Sequence, residues 1–258
     1  MKVYSFGADN APVILLLPGT CCDWEGNFGT VIPLLADTCR VLCVSYDGFD
    51  ETERTEFPTM LEETAKIEAY IRENCGGHIR AAYGCSLGGS FVGLLASRQN
   101  IHMDYGILGS SDLDQASPLA AKLQTDLLLP LIYPVIRDGQ FKSRFLQKRL
   151  RKRAEEMGVY VKAFMDMRGG ARPHVTMQSC KNQFYSDLVT PLPDRIDVPG
   201  TEIHVFYALK MGGKYRARYE QHFARPVIHE QDLQHEELLA CYPEQWAQLV
   251  KSIAEGEK

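Results

Sequence analysis

Residues 79–98, IRAAYGCSLGGSFVGLLASR, decide how this chain is read. An apolar strand run at 79–83 passes through Gly84-Cys85-Ser86-Leu87-Gly88-Gly89 into a helical run at 87–98. The hexapeptide fits GxSxG, and its place between a strand and a helix gives the match its weight. A serine on so tight a turn must adopt strained backbone angles, and the flanking glycines remove the crowding that side chains would cause there. Its hydroxyl then projects above the sheet. The Leu87 amide, free at the helix N-terminus, points toward the oxygen that turns negative when Ser86 attacks a carbonyl. A glycine-rich turn that merely packs a helix on a sheet would carry the same letters. A phosphate loop would need GxxxxGK followed by Ser or Thr, and a dinucleotide site GxGxxG; neither is present.

Outward from this turn, Val13–Leu17, Arg40–Ser45 and residues 105–108 read as further buried strands. They lack strict polar alternation, as parallel strands covered on both faces do. Residues 59–75 read as a helix in which the Thr59 hydroxyl caps the first turn and Glu62 reaches back to the first amide. Gly76 and Gly77 end it. Residues 201–209 and 226–231 resume the strand pattern around a helix at 214–223, and Pro243 opens a last helix ending near Gly256. Residues 113–190 break the alternation, with prolines at 118, 130, 134 and 173, helical patterning and little strand signal. The expectation is an α/β fold: a mostly parallel central sheet with helices on both faces, a core of residues 1–112 and 191–258, and a helical cap at 113–190.

Composition narrows the function. With 258 residues, 45% hydrophobic and 24% charged, the chain is globular, and disorder, collagen and coiled coil are excluded. A net charge of -5 gives no general basis for binding nucleic acid. Val13–Leu17 is too short to span a bilayer and the N-terminus lacks the regions of a secretion signal, so a cytoplasmic protein without membrane contact is expected. The cysteines stand at 21, 22, 39, 43, 75, 85, 180 and 241 with no CxxC pair, which predicts free, packed thiols rather than zinc ligands or disulfides.

LLLPGT at 15–20, GCSLGG at 84–89 and DLQHEELLACYPEQW at 232–246 resemble the α/β-hydrolase family over almost the whole chain. The closest likeness is to small bacterial hydrolases with a helical cap and no cofactor. The resemblance implies that no metal or organic cofactor is used. It also implies that the last segment is the loop after the final strand, which in the family presents the catalytic histidine, here His235. Among the other histidines, His204 and His229 fall inside strands, where packing explains them, His78 begins a strand, and His102, His174 and His222 have no distinctive context. Leu87 and Thr20 are the candidate oxyanion amides, with Cys21 the alternative to Thr20; Pro18 has no N–H to give.

The acid of the triad is the departure. Its usual place after the next-to-last strand reads Ala208-Leu209-Lys210-Met211-Gly212-Gly213, without a carboxylate. Some relatives take the acid from the end of the preceding core strand, which makes Asp112 the candidate, with Asp114 and Glu202 behind it. Two further departures are Leu17-Pro18-Gly19 in place of a His-Gly pair, and Glu236 where glycine commonly follows the histidine.

The expected function is hydrolysis of a small ester or related acyl compound through an acyl-enzyme on Ser86, with His235 as base and Asp112 as its partner. The missing acid keeps open a non-catalytic small-molecule binder or sensor, and the scaffold also hosts carbon–carbon bond hydrolases and lyases. Residues 127–136, LLLPLIYPVI, read as an apolar stretch broken by two prolines that packs cap on core in preference to lining a pocket. Residues 142–153 hold seven basic residues and no acidic ones. They read as a solvated helix face, or more sharply as an attractor for an anionic substrate or membrane surface.

Overall fold

The computed structural model describes residues 1–140, 143, 145, 147–149, 152 and 158–256. In chain order the elements are β1 (Lys2–Phe6), β2 (Val13–Leu17), α1 (Trp24–Phe28), α2 (Ile32–Leu35), β3 (Arg40–Ser45), α3 (Met60–Cys75), β4 (His78–Gly84), α4 (Leu87–Arg98) and β5 (His102–Leu108). Then come α5 (Pro118–Asp138), α6 (Val159–Met167), α7 (Met177–Val189), β6 (Glu202–Ala208), α8 (Gly213–His222), β7 (Val227–Gln231), α9 (Glu237–Cys241) and α10 (Pro243–Glu255).

The strands form one sheet in the order β1-β3-β2-β4-β5-β6-β7, parallel throughout except for β1, which runs antiparallel to β3. Successive side chains of a strand face opposite sides. In β2, Leu15 and Leu17 therefore join Phe91, Ile67 and Met60 of α4 and α3, while Ile14 and Leu16 join Phe28, Leu35, Trp246 and Val250 of α1, α2 and α10. Both faces are dry, which is why β2 to β5 read as continuous apolar runs. The missed strand β1 is an edge strand with mixed polar and apolar residues, half-buried through Val3 on one face and Tyr4 and Phe6 on the other, too weak a pattern to stand out.

The Thr59 hydroxyl caps α3 by accepting from the Glu62 N–H at 3.2 Å, as its sequence demands. Glu62 differs from expectation: its carboxylate accepts from that same hydroxyl at 2.9 Å instead of from the first amide. Gly76, with φ 63°, ends the helix in the left-handed conformation that glycine adopts at no steric cost.

Between β5 and β6 the chain leaves the sheet for α5, α6 and α7. Here the expected break at the two prolines is corrected, because α5 runs through both Pro130 and Pro134. Each proline removes one bond to the residue four before it, and a spacing of four puts both losses on one strip of the helix. Contacts with α7 and the bond from the Tyr133 hydroxyl to the Val175 carbonyl, 3.0 Å, hold the helix across that strip. The expected packing of 127–136 is corrected in part. Leu129, Pro134, Val135 and Ile136 are buried, but Leu127, Leu128 and Leu131 face water, because a helix 21 residues long turns only one side to its support. By length and composition alone α5 would also cross a membrane. All eight cysteines are free thiols, as expected. Of the basic run, Lys142, Arg144, Arg151 and Arg153 lie outside the described residues, as do Phe141 and Leu150.

Candidate active site

β4 ends at Gly84, α4 begins at Leu87, and between them Ser86 has φ 49° and ψ −113°. Such a conformation costs a non-glycine residue of the order of 1–3 kcal/mol and persists only where its surroundings enforce it. Here the enforcement is contact between backbones. A Cβ on Gly84 would stand 2.1 Å from the Gly88 carbonyl, and one on Gly88 would stand 2.2 Å from the Leu17 carbonyl oxygen. The Ser111 hydroxyl donates to the Ser86 carbonyl at 2.7 Å and fixes the turn from the side.

Ser86 opens into a cavity of about 210 Å³ that also receives Gly19, Thr20 and Cys22 from the loop after β2 and His235 from the loop after β7. Ile132 of α5, Phe164 and Met167 of α6, and Phe184 of α7 close it with apolar surface, and Arg168 adds a single positive charge. The structure thus brings Ser86, Thr20 and His235 to one cavity. Among the described residues no hydrogen bond joins the Ser86 hydroxyl to the imidazole. His235 is held by its backbone and its ring: the Tyr160 hydroxyl donates to its carbonyl at 2.9 Å, and Phe164 meets the ring edge-on with centroids 6.0 Å apart.

The amides divide by partner. The Cys21 N–H donates to the Gln183 side-chain oxygen at 2.7 Å and the Gly19 N–H to Asn27 at 2.8 Å. Asn27 in turn donates to the Met167 carbonyl at 2.8 Å, tying this loop to α6. Among the described residues the Thr20 and Leu87 amides have no backbone acceptor. Of the two candidates in the β2 loop, Thr20 is therefore the free donor.

An alpha/beta hydrolase family model matches residues 14–251. The chain belongs to the alpha/beta hydrolase family. Its fold is similar to that of an alpha/beta hydrolase family protein from Desulfitobacterium hafniense, at 19% identity and a TM-score of 0.76, over 98% of this chain and 99% of that one. A thermophilic esterase from Thermogutta terrifontis superposes with a TM-score of 0.72 at 16% identity, covering 99% and 93% of the two chains. The enol-lactonase from Burkholderia xenovorans LB400 does so with 0.67 at 17%, covering 98% and 96%. No curated protein sequence matches the chain.

The acid position of this alpha/beta hydrolase departs from the family pattern in space as well. Among the described residues no carboxylate hydrogen-bonds the His235 ring. Asp112 follows β5 with its carboxyl largely shut from water; burial and Asp114 raise its pKa, while the charges of His235 and Arg218 pull it down. Asp114 forms an ion pair with Arg218. Glu202 starts β6, at the end of the parallel strands away from Ser86 and 2.9 Å from His204, and is removed as a candidate. His204 and His229 bond each other at 2.8 Å, in keeping with packed strand residues.

Glu236 was legible only as a departure, and the structure gives it a part in the site. It is 3% exposed, with φ 55°, a left-handed conformation that suits the glycine usual at this point. One carboxylate oxygen accepts from the Ser86 N–H at 2.7 Å and the Ser110 N–H at 2.8 Å; the other accepts from the Tyr83 hydroxyl at 3.0 Å. Its own N–H donates to the Ser110 hydroxyl at 3.1 Å. Three donors replace the water that a buried carboxylate loses. Burial, together with the Glu236 charge, pushes the Tyr83 and Cys85 protons toward higher pH. No local signal in the sequence names partners 126 to 153 positions away.

Proposed function

We propose that this protein is a serine hydrolase acting on a small carboxylic ester or related acyl compound that carries an anionic group. The single observation behind this reading is a serine held at φ 49° on a strand-to-helix turn that shares a cavity with a histidine from the last sheet loop. The Ser86 oxygen attacks the acyl carbon and its proton passes to His235. The Thr20 and Leu87 amides receive the oxyanion, and the imidazolium returns the proton to the departing alcohol. Water then repeats the sequence in reverse roles, freeing the acid and Ser86. Asp112, whose carboxyl interacts with the His235 charge, is the carboxylate that steadies the imidazolium. Residues 113–190 act as the cap, lending the cavity its apolar wall through Ile132, Phe164 and Phe184.

Arg168 supports the anionic part of the substrate. It lines the cavity beside the apolar side chains of Ile132, Phe164 and Phe184, and among the described residues nothing accepts from its guanidinium. A cation beside apolar walls favours a ligand that brings its own negative charge. The esterase and lactonase among the structural neighbours are consistent with acyl chemistry.

Fluorophosphonate labelling tests the nucleophile: rapid modification of Ser86, abolished in Ser86→Ala and suppressed in His235→Ala, is expected. No labelling of the wild type would instead support a binding protein on this scaffold, the reading favoured by the missing hydroxyl–imidazole bond, and persistent labelling of Ser86→Ala would place the nucleophile at another residue. For the substrate, Arg168→Gln is expected to raise KM for a monoacidic ester roughly tenfold while leaving its neutral methyl ester unchanged, since a charge-assisted bond contributes about 1.5–3 kcal/mol.

A further inference from the structure

At the end of the sheet away from Ser86, β4 and β5 begin side by side with His78 paired to His102. Side chains two apart on a strand share a face, so Arg80 and Asp104 extend the same patch. The His78 Nε2 lies 2.9 Å from Asp104 Oδ1, and the His102 Nε2 lies 3.3 Å from that same oxygen. The three donor atoms all fall within 4.8 Å of one another. We propose that His78, His102 and Asp104 form a binding site for one divalent transition-metal ion of the zinc class, with water completing the coordination.

The geometry is close to what such an ion asks for. Bonds of about 2.1 Å at tetrahedral angles place donor atoms about 3.4 Å apart. Two of the three separations already approach that value, and the exposed ring of His78 is free to close the third. Two imidazoles with one carboxylate match zinc and its neighbours better than calcium or magnesium, which prefer all-oxygen shells. The surroundings hold the donors in place. The second Asp104 oxygen accepts from Arg80 at 2.8 Å, fixing the plane of the carboxylate as an outer partner does. The His102 ring lies against Gly200, where a Cβ would stand 3.2 Å from its Cε1, so that loop limits the ring's swing. The His78 and His102 rings stack with centroids 5.4 Å apart. An ion here would clip two central strands together, far from the catalytic cavity and without a part in its chemistry.

Calorimetric titration of tag-free, chelator-stripped protein with Zn²⁺ is the test. One equivalent per chain and a raised unfolding temperature are expected. Both should vanish in His78→Ala/His102→Ala, whose side chains are exposed enough to be cut without unfolding the chain, and affinity should fall tenfold or more in Asp104→Asn. Ser86→Ala and His235→Ala should keep the equivalent. Nitrogen-detected NMR gives a reading that needs no variant: zinc should move the His78 and His102 ring signals and leave those of His235. No saturable binding, an equivalent that survives the double variant, or one that disappears with His235→Ala would each overturn the site, the last by placing the ion in the catalytic cavity.

Discussion

A carboxylate buried under the Ser86 turn is tolerable only with its donors in place, and Glu236 has donors on both oxygens. Truncation to alanine would strand the Ser86 and Ser110 amides and the Tyr83 hydroxyl, each costing about 1–3 kcal/mol when left unpaired. Glu236→Ala is therefore expected to lose roughly 3 kcal/mol or more in urea unfolding, and to label more slowly at Ser86 as the turn relaxes. In Glu236→Gln the remaining oxygen still accepts from both amides, and the Tyr83 hydroxyl rotates to accept from the new NH₂. That variant should lose only about 1 kcal/mol. Equal losses in the two would mean that the carboxylate merely fills space. Ser86 and His235 were legible because each announces itself locally, the serine by its glycines and the histidine by its place after the last strand. Glu236 looked like a flaw in the pattern, since its donors come from parts of the chain that only folding brings near.

Among the elements, those with end signals written in the sequence were readable to within a residue or so: α3 from Thr59 to Gly76, α10 from Pro243 to Gly256. Thr59→Ala should cost roughly 1 kcal/mol of stability by removing the acceptor of the Glu62 N–H, leaving Ser86 labelling untouched. Where interior signals conflicted, as in α5, neighbours decided. Two prolines argue for a break, and packing on α7 overrides them. The outcome divides the leucines of α5 into two kinds. Leu129, 2% exposed, should cost roughly 2–5 kcal/mol as alanine. Leu123, 69% exposed, should tolerate glutamate within about 0.5 kcal/mol. Thermal unfolding of the pair reads both, and similar losses would mean that the outer face of α5 is covered.

On the scale of the molecule, the parallel sheet was visible because burial on both faces erases alternation, whereas β1, an edge strand only half-buried and mixed in composition, left no such trace. The seam where α7 meets α4 was not visible at all. There the Asp187 carboxyl, beside Ser90, is pushed up to about 8 by burial, with Asp112 and Asp114 adding to the effect. In the unfolded chain the same group ionises near the ordinary aspartate value of 3.8. Between these values the folded state holds a proton that the unfolded state has released, so stability is full below about pH 4 and drains away as pH rises to about 8. The slope from this one group is at most about 1.4 kcal/mol per pH unit. The urea midpoint of the wild type should therefore fall between pH 6 and pH 8 and level off above, while Asp187→Asn should show a flatter profile. Parallel profiles would place the Asp187 proton elsewhere.

The tie at Glu236 also limits how this scaffold can be rebuilt. The segment carrying His235 cannot be traded for a foreign one as an independent cassette, because the same stretch supplies the anchor beneath Ser86. A chimera would have to import the acidic side chain with its new loop, or redesign the sockets at positions 83 and 110 to match.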